Sequence, residues 1–259
     1  MNQPHKWEIG VSAGSYYPSL AEQFSGRDIG LAYENDHMGM QFFAYSYHID
    51  ELDNPILVGK RLYSLQLLLN GALYINSGEL DKSPIKFTYF VKLDGGSQQS
   101  IWTDIIEEYP FNNDLLIDQF KHPLDNPKKS FASYLLHLSR QSTELRTLLF
   151  LSGLISTNST IEKILTWSTL YKILDCVKHY SLKEDFDVNS FVDNTRLEMF
   201  TTACNNMSIL GLNSRHGAKG NKPPIKAVMT DLDEAINLIL SMSKLFTKAF
   251  ISKKYAGFL

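Results

Sequence analysis

The chain has 259 residues, 44% apolar and 20% charged, with a formal charge of −3. That length suits two domains better than one, and the balance is that of a soluble globular protein. The small negative charge excludes a global basic footprint for nucleic acid. Cys176 and Cys204 are the two cysteines. They exclude a disulfide framework of the secreted kind, and no CxxC is present. The opening MNQPHKWEIG lacks an apolar signal core, and the apolar run 62–75 is broken by Ser64, Gln66, Asn70 and Gly71. A cytoplasmic protein with no membrane span is expected.

The first third of the chain has a period of two. In QFFAYSYHI, residues 41–49, Phe43, Tyr45, Tyr47 and Ile49 share one face. That alternation predicts a strand. Shorter strands are predicted at 7–13 and 28–33, with a hairpin turn at 35–39. After Pro55, Val58, Leu62, Leu65, Leu69 and Ala72 recur at helical spacing, and Gly78 closes that helix. Residues 84–93 read as a strand, Asp94-Gly95-Gly96 as its turn, and 101–106 as its antiparallel partner.

Turn formers crowd residues 111–129, which read as a linker, with a short helix at 115–120 inside it. From Ser130 onward the period is helical. Residues 131–138 and 145–155 read as one broken helix. Ser159 and Glu162 form a capping box ahead of a helix with a wide apolar stripe: Ile161, Ile164, Leu165, Trp167, Leu170, Tyr171, Leu174 and Val177. A stripe that wide predicts a central helix. Another helix is predicted at 191–202. The last begins at Thr230-Asp231-Leu232-Asp233-Glu234, with acids at the positive dipole end and Lys244, Lys248, Lys253 and Lys254 towards the other. The expected class is α+β: a small mixed sheet and helix unit at 1–110, a linker at 111–129 and an all-α bundle at 130–259.

No phosphate-binding glycine loop, nucleophile elbow or HExxH motif is present. The histidines at 5, 37, 48, 122, 137, 179 and 216 have no metal-ligand spacing, so neither a metal nor a cofactor is expected. His48, His137 and His179 read as surface or half-buried residues bonded to neighbours. Arg215-His216 stands apart because it lies in a glycine-bounded loop. An imidazole carries a proton near neutral pH, and a guanidinium binds phosphate in a fork. Metal-independent RNA cleavage needs those two groups. The bland alternative is that both hold the loop together. Asn205 and Asn206 precede the loop and suit bonds to its backbone. Lys219 and Lys222, with Lys226, add local positive charge.

Two stretches carry a resemblance. TWSTLYKILDCV, residues 166–177, resembles the W-x-x-L-Y-K helix of uncharacterised bacterial proteins with a C-terminal HEPN-like helical domain. Asn205, Ser208, Gly211, Arg215-His216-Gly217, Pro223-Pro224, Met229 and Asp233-Glu234-Ala235 resemble a second pattern of those proteins. RLYSLQLLLNGA, residues 61–72, is similar to a helix in their N-terminal part. The resemblance implies a HEPN-like bundle, a homodimer, an RNA or nucleotide ligand and a partner protein encoded nearby. It implies a role in prokaryotic defence or stress response. That role is either a ribonuclease-like effector using Arg215 and His216, with Asn205, Lys219 and Lys222 binding, or a non-enzymatic subunit. The family's nuclease motif places its His several residues after its Arg, whereas here the two are adjacent.

Overall fold

A computed structural model describes residues 5–37, 39–80, 83–101, 105–112, 130–216 and 227–255. The chain is an α+β protein. Its contacts divide it into two compact units: Met1–Asn70 with Lys82–Ser142, and Gly71–Asp81 with Thr143–Leu259.

The first unit is built on an antiparallel sheet of order β2-β3-β1-β4-β5. Its strands are β1 (Trp7–Ser12), β2 (Gly30–Asp36), β3 (Gly39–Tyr45), β4 (Lys86–Lys92) and β5 (Gln99–Ser100). A short helix, α1 (Tyr17–Ala21), follows β1. The expected strand at 41–49 stops at Tyr45, and α2 (Tyr47–Asp50) replaces its end. The cause is Ser46, whose hydroxyl accepts from the His48 N–H and caps a helical turn.

The helix predicted after Pro55 is α3 (Pro55–Ser77). Asn54 accepts from the Ile56 N–H at its start, at 2.9 Å. Gly78, at φ +82°, ends it in the left-handed conformation that glycine tolerates. Residues of α3 up to Asn70 belong to the first unit. There the Asn70 amide donates to the Ile85 carbonyl at 2.8 Å and accepts from the Ile85 N–H at 3.0 Å. One buried side chain thus satisfies both main-chain groups just before β4.

β5 lies just before the strand expected at 101–106, of which residues 102–104 lie outside the described residues. The Glu107 N–H donates to Ser64 Oγ at 2.7 Å, and Arg61 holds the Glu107 carboxylate through two nitrogens. The chain therefore follows α3 instead of the sheet. Residues 113–129, including the helix expected at 115–120, lie outside the described residues.

The broken helix is two helices, α4 (Phe131–Leu138) and α5 (Thr143–Gly153). The contact division falls between them, at Ser142, and not in the expected linker. Two side chains explain the grouping of α4: His137, and Arg140 just beyond the helix, both reach Asp28.

The second unit is helical. It holds the end of α3, α5, α6 (Thr160–Lys183), α7 (Asn194–Cys204), α8 (Met207–Leu210) and α9 (Leu232–Lys254). The capping box forms as predicted: the Ser159 hydroxyl accepts from the Glu162 N–H, and Glu162 accepts from the Ser159 N–H. α6 is central, packing on α5, α7 and α9. Its stripe is narrower than the sequence implied, because Ile161 and Leu165 are exposed. By length and composition alone α9 is long and apolar enough to cross a bilayer. Ile236, Ile239, Met242, Phe246 and Phe250 instead lie buried in the unit.

Gly71 fixes how α3 meets α5. A Cβ there would lie 1.9 Å from the Leu149 carbonyl oxygen. Main chain cannot swing aside as a side-chain tip can. Gly71→Ala should therefore cost about 3 kcal/mol, the upper end for overpacking a core. A thermal melt checks this, and an unchanged Tm would mean that the two helices do not approach this closely.

Candidate functional site

The Arg215 loop is assembled on α6 and the end of α7. Asp193 accepts from the Arg196 N–H and starts α7, and Asn205 is its C-terminal cap. Asn206 Oδ1 accepts from the Ser208 N–H at 3.1 Å and the Ser208 hydroxyl at 2.7 Å, which starts α8. A 3-10 turn at Gly211–Asn213 follows and packs on α6. The Arg215 N–H then donates to the Cys204 carbonyl at 2.6 Å. That bond brings the loop back to the end of α7, beside Asn205.

Arg215 finds two partners on α6. Its guanidinium carbon lies 4.1 Å from the centre of the Tyr171 ring. Its Nη2 is 3.8 Å from Asp175 Oδ2. Tyr171 and Asp175 are four residues apart, which puts both on one helix face. Tyr171 stacks on Phe200, and Phe200 on Trp167, with centroids 6.3 and 6.1 Å apart. The guanidinium thus caps an aromatic stack whose inner members are buried. The side chain of Arg215 is 43% exposed and that of Asp175 54%. A pair so exposed contributes little to stability, about 0–1 kcal/mol. Burial pushes the neighbouring Cys204 thiol up to about 12, against the pull of Arg215. That cysteine stays protonated and inert.

His216 is half-buried, and its carbonyl accepts from the Ser214 hydroxyl at 2.7 Å. Among the described residues nothing hydrogen-bonds its ring. Asn205 Oδ1 is buried without a hydrogen-bond partner among them. Asn206, not Asn205, supplies the expected bonds to the local backbone. Lys219 and Lys222 lie outside the described residues. The structure thus places Arg215, His216 and Asn205 in one loop region. Tyr171 and Asp175 complete it. Sequence reasoning had put Tyr171 in the core stripe and passed over Asp175. The one available signal was their spacing on a helix already identified.

The chain's other concentration of charge lies in the first unit. The Asp28 carboxylate is buried among three donors. His48 Nε2 is 2.8 Å from Oδ1, Arg140 Nη1 2.7 Å from Oδ1, and His137 Nδ1 2.8 Å from Oδ2. His48 is wholly buried, where the sequence suggested a surface or half-buried residue, and His137 is nearly so. The Asn112 N–H donates to His48 Nδ1 at 3.1 Å. Nδ1 therefore carries no proton, and Nε2–H donates to Asp28. Burial opposes ionisation of Asp28, but His137, His48 and the Arg140 charge outweigh it and hold the carboxyl well below its usual range. Burial lowers the His48 pKa against the opposing pull of Asp28. The members bond to one another. Among the described residues no group of three or more His, Cys, Asp or Glu could hold a metal. This cluster is a polar core, not an open site.

No family model matches the chain, and no curated protein or solved structure does.

Two outcomes follow from the cluster. Asp28→Asn removes the buried carboxylate that Arg140 and both histidines share, which should cost about 3–5 kcal/mol in a denaturant titration. The pH dependence has a definite sign. Asp28, depressed in the fold, stabilises above its unfolded pKa of about 3.9 and loses this as pH falls through its folded value. His48, also depressed, stays neutral in the fold while the unfolded chain takes up a proton below about pH 6.5. Stability should therefore begin to fall below about pH 6.5 and fall further below about 4. His48→Gln should flatten the first part of that decline at a lower overall stability. An equally steep decline in the variant would remove His48 from the explanation.

Proposed function

We propose that the chain is a non-enzymatic binding subunit of a prokaryotic defence or regulatory complex, with a HEPN-like helical unit that holds an RNA or nucleotide phosphate at Arg215. It works in the cytoplasm as a homodimer, beside a partner protein encoded nearby. The observation that carries this reading is the guanidinium laid over Tyr171 and only loosely paired with Asp175. Stacking orients the planar fork and leaves its edge to solvent. At 3.8 Å, Asp175 is beyond a tight charge-assisted bond, so an incoming phosphate competes with a weak partner. Lys219 and Lys222 follow in sequence and add charge to the same loop.

A second reading, metal-independent RNA cleavage, is favoured by one observation. His216 directly follows Arg215, and its ring lacks a hydrogen bond among the described residues. Such a ring is available to move a proton.

Both readings are tested with a fluorescein-labelled single-stranded RNA, by anisotropy for binding and by gel for cleavage. Arg215→Ala should weaken binding about tenfold and shallow its salt dependence, since one phosphate contact is lost. Tyr171→Ala should weaken it comparably, and His216→Ala should leave it unchanged. Cleavage by the wild type that His216→Ala abolishes would replace the first reading by the second. A large fall in Tm for Arg215→Ala, with no change in RNA binding, would mean that Arg215 only holds its loop.

A further inference from the structure

β2 is the outer strand of its sheet, and part of it stands clear of the rest. β1 pairs with β3 at Ile9↔Ala44 and Gly10↔Phe43. The β2–β3 register runs on through Tyr33↔Phe42, Glu34↔Gln41, Asn35↔Met40 and Asp36↔Gly39. Those last pairs form a two-stranded ribbon beyond β1. The inner end of the β2 edge is covered, because the Leu31 N–H donates outward to the Phe24 carbonyl at 2.7 Å. Strand alternation turns the main-chain groups of Tyr33 and Asn35 to that same outer side. Among the described residues no main-chain partner meets them there.

Natural edge strands are commonly blunted by Lys or Pro. GLAYEND has neither, and no Lys or Arg occurs from Gly30 to Tyr45. The two faces of the ribbon differ. Leu31 and Ala44 are buried on one face. Tyr33, 45% exposed, and Met40, 48% exposed, continue that face outward, with Phe42 between them. Glu34 lies on the other face. With Glu8, which accepts from the Tyr45 hydroxyl at 2.9 Å, it makes that face acidic. Burial first, then the hydrogen bond to Glu8 and the charges of Glu8 and Glu34, raise the Tyr45 pKa.

We propose that the β2 edge beyond Leu31 takes up an extended segment of a partner protein by strand addition, a segment that alternates apolar and basic side chains. Main-chain bonds to Tyr33 and Asn35 hold the added strand. Its apolar side chains continue the Tyr33, Met40 and Phe42 face, and its Lys or Arg side chains meet Glu34. Charge separates this occupant from the others. A second copy pairing edge to edge brings acids together with no cation from either ribbon, and like charges across strands are unfavourable. RNA is repelled by the same acids. The inference is independent of the Arg215 reading and uses a different unit.

The test uses the full chain and two labelled, end-blocked heptapeptides, one alternating Lys and Val, the other Glu and Val. In fluorescence anisotropy the Lys-Val peptide should bind and the Glu-Val peptide should not. Asn35→Pro removes an outward N–H that the hairpin does not use, so the ribbon should persist by circular dichroism. Binding should weaken about tenfold or more with that bond lost and the edge obstructed. Glu34→Lys should reverse the preference between the peptides. Failure of the Lys-Val peptide to bind, equal binding of both, or wild-type binding by Asn35→Pro would each overturn the proposal. So would a concentration-dependent dimer that Asn35→Pro dissolves, since a second copy would then occupy the edge.

Discussion

The first unit depends on a single carboxylate. Asp28 lies just before β2, His48 in α2, His137 in α4 and Arg140 just beyond it, and all three meet the same two oxygens. An ionised carboxylate in a low-dielectric interior is tolerable only with its lone pairs filled and its charge opposed. The donors meet the first condition and Arg140 the second. Bonds also run outward from the cluster. The Ser46 hydroxyl donates to the Asp28 carbonyl at 2.6 Å, and Arg61 donates to the His48 carbonyl at 2.8 Å. Arg61 then holds Glu51 and Glu107. The irregular segments around the sheet are thus tied to one network. Shape alone does not provide that constraint, since an apolar contact has no direction and a bidentate acceptor does.

The same network marks the limit of what could be read in the sequence. Helices were legible because their signals are local. Ser159 and Glu162 are three residues apart, Asp231 accepts from the Glu234 N–H, and α9 carries its stripe at regular spacing. The first strand and the hairpin turn were legible for the same reason. The short helix after β3 was not. Its sequence keeps the strand's alternation through Ile49, and the decision rests on one hydroxyl turned towards its own backbone. Nor was the Asp28 cluster legible. Residues 28, 48, 137 and 140 have no spacing in common, and the histidines could be read only one at a time. Nor was the grouping of α4 with the sheet legible, because the tie is a contact between distant residues.

Around Arg215 the sequence supplied the residue but not its setting. The pairing of Arg with His drew notice because the types are chemically suggestive. What orients the guanidinium is Tyr171 with Asp175, one turn apart on a helix distant in sequence. Helical spacing says that those two share a face, but not that a loop far along the chain returns to it. That return is held by the bond from the Arg215 N–H to the Cys204 carbonyl and by the packing of the Gly211–Asn213 turn on α6.

Arg140 and Arg215 differ in burial, and burial sets how firmly each holds its carboxylate. The Arg140 side chain is wholly buried and lies 2.7 Å from a carboxylate that is itself enclosed. Water cannot replace either partner, so the pair is fixed for as long as the unit is folded. The Arg215 side chain is 43% exposed, and its carboxylate lies 3.8 Å away in solvent. There water and salt already compete for both charges, and exchanging Asp175 for another anion costs little. Tyr171 supplies what exposure removes. It holds the guanidinium plane without consuming its donors, since the ring binds the face of the cation and leaves the edge N–H groups outward. A caged arginine fixes its fold, and a stacked one keeps its edge in solvent; of the two, only Arg215 is stacked on a ring among the described residues.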